Sequence, residues 1–492
     1  MVVTDVAVAE ELPSVVVTVA AAQERKAHPW RATGQLGTLL LLDLGWYQWQ
    51  IELNKKDFDF DRTFSEQWRR LTTSQGHRLD NNAEYLNVGH SFFGGVYYQL
   101  ARTNGLSFAE SALANLIAST IWEAAVEHRE VLSINDHITT VVAGVPIGEA
   151  LYQVAEVFAR SKPTFGNRLA MGLASPFRAL AWAFGDAPRP SGQYGNLGVD
   201  RSVYHRFALS VGAVRSTGLG WSKTLRADLD VVNLPDYGRP ASGNRMLHGG
   251  EFTNVLVDYS GYGDDSDRLV LGMRTNLWGS YHEAQTDDAS AGSSRFLGTA
   301  SAFELAYDDY GDLNDFLMFV HAFGPSIDLA KSSGKLFFRA GLDLYLDFSL
   351  ARPFSLPGTF DPALTMGAKT ILDEEGYYYG WGATAAIRTE LEVAKVRAGL
   401  SFEWNGIDSI EGLDRYQNAF VSPTGVFHAA ISDDSNLTEL RLQLRAFAEV
   451  PMPWTAWRLG LAAELKRRSG TWKDLARTDD TLRLGLHASY PL

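Results

Sequence analysis

One apolar stretch of the chain carries an unusual set of titratable side chains. His90 is followed by Glu123 and Glu127, two glutamates four residues apart that share one face of a helix. A histidine beside a carboxylate can work as an acid–base pair, and the same residue types can hold a hard cation or zinc. His90, Glu123 and Glu127 are therefore the candidate catalytic residues. The alternative is structural: His90 hydrogen-bonds a carboxylate across a helix interface and has no further role.

Further polar residues line the same stretch at spacings of three and four, as one helix face does. They form a candidate binding set: Asn87, Tyr98, Arg102, Glu130, Asn135, Asp136 and Glu149. The alternatives are again structural, because a stripe of glutamates can be a solvated or lumen-facing surface and Asn135 and Asp136 can serve only as cap residues. Glutamates at these spacings repel one another in an isolated helix, so a partner should compensate their charge. That partner could be solvent, His90, Arg102, a cation or arginines of a barrel lumen.

Capping residues divide this stretch into three predicted helices. The first covers residues 84–103. The second begins at the capping box Ser107-Phe-Ala-Glu110 and runs to about residue 131, and the third covers 133–160 with an interruption at Gly144-Val-Pro146. A short link joins the first two helices and predicts an antiparallel hairpin. The candidate catalytic residues should therefore converge in one polar site.

Motifs for a cofactor or for a known catalytic centre are absent from the sequence. It contains no G-x-S-x-G and no H-E-x-x-H, and Gly380-Trp-Gly382 lies in a strand pattern instead of a phosphate-binding loop. Gly94-Gly95 most simply allows two helices to approach closely. No cofactor is therefore predicted, and no residue is assigned as a metal ligand.

The composition excludes several classes of protein. The 492 residues include 58 acidic and 44 basic side chains, and a net charge of −14 does not suit a nucleic-acid binder. The chain has no cysteine, which excludes disulfides, thiolate catalysis and Cys-ligated metal sites. No run reaches about 18 uncharged apolar residues, so a helical transmembrane protein is disfavoured. A β-barrel is not disfavoured, because its strands alternate between apolar and polar residues.

Beyond residue 203 the hydrophobic pattern has a period of two. In 334–350, leucine and phenylalanine alternate with arginine, aspartate and tyrosine, so a strand would place the charges on one face. About twelve such segments occur, at 203–214, 220–232, 250–261, 268–283, 295–308, 313–328, 334–350, 377–392, 393–404, 439–450, 456–467 and 479–490.

These segments predict a transmembrane antiparallel β-barrel. Tilted strands of about 10 residues cross a bilayer, and an even strand number with long connections such as 351–376 and 406–436 is typical of outer-membrane barrels. Aromatic residues near strand ends, Tyr377, Tyr379 and Trp381 among them, suit an interfacial girdle. The apolar faces should point to lipid, and the first and last strands should pair. A soluble lipocalin-like or sandwich protein is the alternative.

The chain divides into four predicted regions. The leader contains the segment Pro13–Ala22, which resembles the end of a secretory signal although acidic residues precede it. A connector rich in proline and glycine separates the helical part from the barrel. The regions are a leader at 1–34, a helical domain at 35–160, a connector at 161–199 and a β-barrel at 200–492.

Several motifs of the helical domain together resemble a known family. They are Asn87-Val-Gly-His90, Trp122-Glu123, Ser133-Ile-Asn-Asp136 and Gly148-Glu149, within residues 80 to 160. This combination resembles domain of unknown function 3943, a bacterial family of predicted outer-membrane proteins of Gram-negative bacteria. The family often has proline after the histidine, where this chain has Ser91. The resemblance implies a location in the bacterial outer membrane and a fold, and it supplies no activity.

The sequence thus predicts an outer-membrane barrel of twelve strands, preceded by a helical domain that plugs the lumen or docks on the periplasmic mouth. Two functions remain. The preferred one is a binding or transport-like barrel, because no complete catalytic constellation is present. The alternative is an outer-membrane enzyme that acts on lipid or envelope material through the His/Glu cluster. The expected partner is outer-membrane lipid, with an unidentified small-molecule or lipid ligand and no nucleic acid.

Overall fold

The structure is a computed structural model with an α-helical region followed by a β-barrel. It describes residues 26–50, 63–80, 82–128, 131–217, 220–234, 237–262, 266–310, 313–355, 371–410, 413, 436–472 and 474–491. The signal-like segment Pro13–Ala22 and the candidate Glu130 lie outside these residues.

Polar caps begin several helices of the helical region, although two others begin after an alanine. Thr63 and Ser107 form capping boxes with Glu66 and Glu110. The helices of the described residues are α1 (Pro29–Gln50), α2 (Phe64–Thr72), α3 (Glu84–Thr103), α4 (Phe108–Ile121), α5 (Ile134–His137), α6 (Gly144–Ala159), α7 (Phe165–Ala174), α8 (Pro176–Ala183) and α9 (Ile371–Glu375). Two short strands, β1 (His77–Arg78) and β2 (Leu132–Ser133), pair in parallel beside them.

Two π-helical turns shift the predicted helix boundaries. Helix α4 ends at Ile121 and continues only as the π turn Trp122–Val126, so the predicted extension to residue 131 is wrong. A second π turn, Ile138–Ala143, joins α5 to α6 without a break. The interruption predicted at Gly144-Val-Pro146 is therefore also wrong.

The helix continues past Pro146 without a break, and this has a physical cause. A proline lacks the N–H that would bond to the preceding helical turn, so it leaves backbone carbonyls without their usual partner. The buried side chain of Asn115 on α4 supplies a donor at this turn, because its Nδ2 donates to the carbonyl of Thr140 at 3.0 Å and to that of Val141, five residues before Pro146, at 3.4 Å. A neighbouring helix thus stabilises the wide turn.

Glycines allow the helices to touch, as predicted for Gly94-Gly95. A Cβ on Gly94 would lie 1.7 Å from the carbonyl oxygen of Thr140, and one on Gly95 would lie 2.9 Å from the Ile147 side chain. The facing Gly144 and Gly148 are equally close to α3. The prediction of close helix contact is confirmed.

The barrel consists of twelve antiparallel strands in one closed ring. Its strands are β3 (Tyr204–Ser216), β4 (Gly220–Val232), β6 (Phe252–Tyr262), β7 (Ser266–Gln285), β8 (Ala291–Tyr310), β9 (Leu313–Ser333), β10 (Leu336–Ala351), β11 (Tyr378–Val393), β12 (Val396–Ser409), β13 (Leu437–Pro451), β14 (Arg458–Trp472) and β15 (Leu475–Pro491). The short β5 (Gly243–Leu247) pairs with the far end of β7. The predicted count and class of barrel are confirmed.

The ring closes where the sequence predicted. Strand β15 pairs with β3 from Arg483↔Ser216 to Pro491↔Ala208. The first and last strands therefore begin and end at the same end of the barrel, which we call the termini end. The opposite end carries the two long connections, after β10 and after β12, and we call it the loop end.

The two faces of the strands separate apolar from charged side chains. Leu344, Leu444 and Leu484 point outward and are 40–51% exposed. Asp343 and Arg441 point inward and are at most 2% exposed. Alternation along each strand explains the separation, and the prediction that the apolar faces point outward is confirmed.

Ion pairs across the lumen join strands that are not neighbours in the ring. Arg441 on β13 bonds to Glu304 on β8 at 3.0 Å, and Lys466 on β14 lies 3.1 Å from Asp308 on β8. Arg206 on β3 likewise bonds to Glu390 on β11. Contacts of this length bring opposite walls together. Charged side chains of opposite walls therefore meet across this section of the lumen.

Apolar side chains occupy both ends of this lumen. At the termini end, Tyr237 from the connection between β4 and β6 packs with Phe252, Tyr281 and Phe296. At the loop end, a second cluster includes Leu372 of α9 with other inward side chains, namely Tyr378, Leu437 and Trp472. The charged section lies between these two clusters.

The helical region packs on the outer wall of the barrel. Ile147 and Val154 of α6 belong to one apolar core with Val255, Met273 and Phe303, which face away from the lumen. Phe92 of α3 and Phe158 of α6 contact wall aromatics in the same way. The prediction that the helical domain plugs the lumen or docks on the periplasmic mouth is wrong, because α3 and α6 contact side chains on the outer face of the wall.

The long helices follow the barrel wall from one end to the other. Glu84, at the start of α3, bonds to Arg352 at the loop end at 2.6 Å. Farther along, Glu149 of α6 lies against Gly250 at the termini end. The stretch Ile134–Ala159, 26 residues, is the one described helix long and apolar enough to span a membrane by length and composition, and 67% of its most apolar window is buried within the protein.

Removing a lumen carboxylate should destabilise the barrel strongly. Asp343 is fully buried and bonds to Arg274 at 2.8 Å and to Arg388. Asp343→Ala leaves the buried cation of Arg274 without its counterion, and we expect a loss of about 3–5 kcal/mol in unfolding free energy. The measurement is the temperature at which the folded band disappears on a semi-native gel.

Asp480→Ala is the matched control. Asp480 pairs with Arg467 on the surface, and both side chains are about half exposed, at 52% and 53%. The expected loss is about 0–1 kcal/mol. Equal shifts for the two variants would contradict a structural role for the lumen pairs.

Candidate active site

A histidine and an aspartate form the centre of the candidate site. His90 on α3 lies beside Asp136 on α5, with Nδ1 2.8 Å from Oδ1. An ionised carboxylate only accepts hydrogen bonds, so Nδ1 donates and Nε2 is left for other chemistry. The Asp136 side chain is 5% exposed, whereas that of His90 is 30% exposed. The imidazole is thus oriented by a buried carboxylate and reachable from outside.

Asp136 is fixed by its local sequence as well as by His90. Its backbone N–H donates to the hydroxyl of Ser133 at 3.1 Å, which is the predicted helix cap. Its carboxylate also accepts from Asn82 at 3.2 Å and from Asn135 at 2.9 Å. Asp136 therefore acts as both a cap residue and the acceptor that holds His90.

The π turn after α4 brings two glutamates to the same place. Glu123 accepts from the backbone N–H of Ser133 at 3.1 Å, and Glu127 accepts from Trp122 Nε1 at 2.9 Å. Carboxylate oxygens of Glu123, Glu127 and Asp136 lie within 4.8 Å of one another. Three carboxylates this close repel one another. They either share a proton or need a nearby cation to be ionised together. Their oxygens suit a divalent cation.

Arg70 on α2 stabilises the π turn through its backbone carbonyls. Its guanidinium is fully buried and donates to the backbone carbonyls of Glu123 at 2.7 Å and Glu127 at 2.8 Å. A positive charge at the end of a helix compensates the helix dipole there. Arg70 was not among the predicted site residues, because its partners are backbone atoms that sequence spacing does not reveal.

A hydrogen-bond network anchors the site to the barrel wall. Asn135 donates to Asn87 Oδ1 at 3.0 Å, and the same oxygen accepts from the hydroxyl of Tyr379 at 3.0 Å. Asn87 also donates to the hydroxyl of Tyr377 at 3.2 Å. Burial raises the pKa of the Tyr377 phenol, so this hydroxyl stays protonated. We call His90, Asp136, Glu123, Glu127, Asn87 and Asn135 the rim cluster, because they lie beside the loop end of the wall.

The other predicted residues form a second cluster. Glu149 accepts from Tyr98 at 2.7 Å, from Arg102 at 2.8 Å and from Gln153 at 2.6 Å, and it has no exposed surface. Arg102 lies more than three helical turns from His90, about 18 Å along α3. The suggestion that Arg102 compensates the carboxylates near His90 is therefore wrong. We call Tyr98, Arg102, Glu149 and Gln153 the Glu149 cluster.

Fold and site together define a class of protein: a closed barrel with an apolar outer face and a helical domain on its outer wall. Residues 76–177 match the family model described as Domain of unknown function (DUF3943). This match confirms the family resemblance, and it covers both polar clusters. No curated protein matches the chain.

Solved barrels resemble the chain only loosely. The outer membrane protein Omp33 of Acinetobacter baumannii is 9% identical, with 59% of this chain and 100% of that chain covered and a TM-score of 0.21. A loop-deletion mutant of OmpT of Vibrio cholerae is 9% identical over 59% of this chain and 99% of its own, with a TM-score of 0.21. The β domain of the Bordetella autotransporter BrkA is 10% identical over 57% and 97%, with a TM-score of 0.18. The barrel assignment rests on the strand pairing instead.

The Glu149 cluster should matter for stability. Glu149→Gln leaves the guanidinium of Arg102 without its buried counterion, and we expect a loss of about 3–5 kcal/mol in unfolding free energy. Thermal unfolding of the purified full chain in detergent measures it. Glu110→Gln, on an exposed helix cap, is the control and should change far less. A Glu149→Gln protein as stable as wild type would refute the structural role.

Proposed function

We propose that the protein is an outer-membrane hydrolase that acts on lipid of the bacterial envelope, with the rim cluster as its active site. The observation that carries the proposal is the His90–Asp136 pair: a partly exposed imidazole, oriented by a buried carboxylate, on the outer wall of the barrel. A pair placed there can be reached by a molecule that lies in the membrane.

The architecture supports an outer-membrane location. Outward leucines and inward charges match a barrel whose outside is hydrocarbon, where a charged side chain costs about 2–4 kcal/mol near the midplane. In such barrels the long loops face the outside of the cell and the short turns face the periplasm. The rim cluster is beside the loop end, so the expected substrate is an amphiphile of the outer leaflet.

The residues of the rim cluster suit hydrolysis. Nε2 of His90 can take a proton from a water molecule when the ring is neutral, and Asp136, which accepts from Nδ1, keeps the ring in the tautomer that allows it. Asp136 also stabilises the imidazolium that forms, as the aspartate does in hydrolytic triads. Glu123, Glu127 and Asp136 can bind a divalent cation, which would polarise the carbonyl under attack. The chemistry requires an ester or amide near the headgroup of the lipid.

A binding role of the lumen is the second candidate. A cavity of about 380 Å³ lies inside the barrel and is lined by paired charges, among them Arg206, Asp230 and Glu390. It could hold a small charged ligand. Transport fits less well, because apolar clusters of the described residues occupy both ends of the lumen. The partly exposed imidazole of His90 favours chemistry at the rim cluster.

Replacement of His90 should abolish lipid hydrolysis. We expect His90→Ala to lower the rate about 10²–10⁴-fold, which is the usual contribution of a general base. Purified full-length protein is mixed with vesicles of bacterial outer-membrane lipid extract, and released products are identified by mass spectrometry. Asp136→Asn should lower the rate as well and change its pH profile.

His248→Ala is the matched control for this experiment. His248 is exposed in the connection that follows β5, remote from the rim cluster in the chain. Its replacement should leave the rate unchanged. If wild-type protein releases no product, or if His90→Ala is as active as wild type while folded, the hydrolase proposal fails.

A further inference from the structure

Helix α4 buries its polar face and exposes its apolar face, the reverse of a surface helix in a soluble protein. Its polar residues Ser111, Asn115 and Ser119 are buried at 0–3% exposure, at spacings of four that mark one helix face. Its opposite face carries Leu113 and Ile117, which are 55% and 48% exposed. A helix on a water-exposed surface shows the reverse arrangement, with apolar residues inward and polar residues outward.

Helix α3 repeats the inversion. Asn87 and Ser91 are buried with no exposed surface, and Gly94 touches the next helix. Leu86 and Phe93 are 40% and 50% exposed on the outer side. Small and polar residues at helix contacts, with apolar residues outside, are typical of helices that pack in lipid.

We propose that the helical domain is immersed in the bilayer beside the barrel, with lipid acyl chains covering its outer face. This inference concerns placement and holds whether or not the rim cluster is catalytic. The occupant is lipid because the exposed face continues the apolar outer face of the barrel, to which the helices are packed. A surface that is continuous with a lipid-facing wall is also covered by lipid.

The dimensions of the helices fit this placement. Helix α3 has 20 residues and is about 30 Å long, which matches the hydrocarbon core of a bilayer at about 30 Å. Polar groups collect at its two ends, in the rim cluster and in the Glu149 cluster. Within the membrane a polar group needs a partner in the protein, and Nδ2 of Asn115 meets that need by donating to the carbonyl of Thr140.

Single cysteines with nitroxide labels test the proposal directly, because the chain has no cysteine of its own. Leu113→Cys and Ile117→Cys report on the face of α4. Leu484→Cys on the outer barrel wall is the lipid reference, and Ser290→Cys in the exposed turn between β7 and β8 is the water reference. The full chain is reconstituted into phosphatidylcholine vesicles, and collision of each label with oxygen and with a water-soluble nickel chelate is measured.

Lipid immersion predicts that both α4 labels follow the Leu484 label, with an oxygen-to-nickel ratio several-fold above that at Ser290. A ratio at both positions equal to that at Ser290 would overturn the proposal, because the helices would then face water. Labels shielded from both reagents, with spin–spin broadening that grows with protein density, would overturn it in favour of a second copy of the chain. Two label positions guard against a single variant that fails to fold.

Discussion

Pairing of opposite charges across the lumen determines much of this structure. Arg441 on β13 reaches Glu304 on β8, and Lys466 on β14 reaches Asp308 on the same strand. Buried charges must be paired to be tolerated, so opposite walls approach until their side chains meet. The helices α3 and α6 lie against the outer wall instead of in this lumen.

The barrel could be predicted because its signal is local. A period of two over long segments identifies strands, and the apolar half of the alternation identifies the outer face. The helices were predicted at their beginnings, since Ser107 and Ser133 are capping residues with short-range partners. The end of α4 and the position of the helices on the barrel were not predicted, because the periodicity of a helix does not say what covers each of its faces.

The candidate site was predicted only in part, for identifiable reasons. A π turn widens the spacing between contacting residues, so Trp122 meets Glu127 five positions later although an ordinary helix would separate them. Asp136 looked like a cap residue, and its bond to His90 depends on tertiary packing. Tyr377 and Tyr379 were interpreted as girdle aromatics, yet their hydroxyls bond to Asn87. Sequence spacing alone cannot reveal partners so distant in the chain.

The outer wall that supports the helices has a consequence for how the protein is made. Strands from β3 to β11 supply the apolar surface on which α3 and α6 pack, and these strands follow the helices in the chain. The ring closes only when β15 pairs with β3. The helices can therefore reach their final packing only after strands that follow them in the chain have paired. Until the barrel has formed, the apolar side chains of α6 lack the wall that buries them.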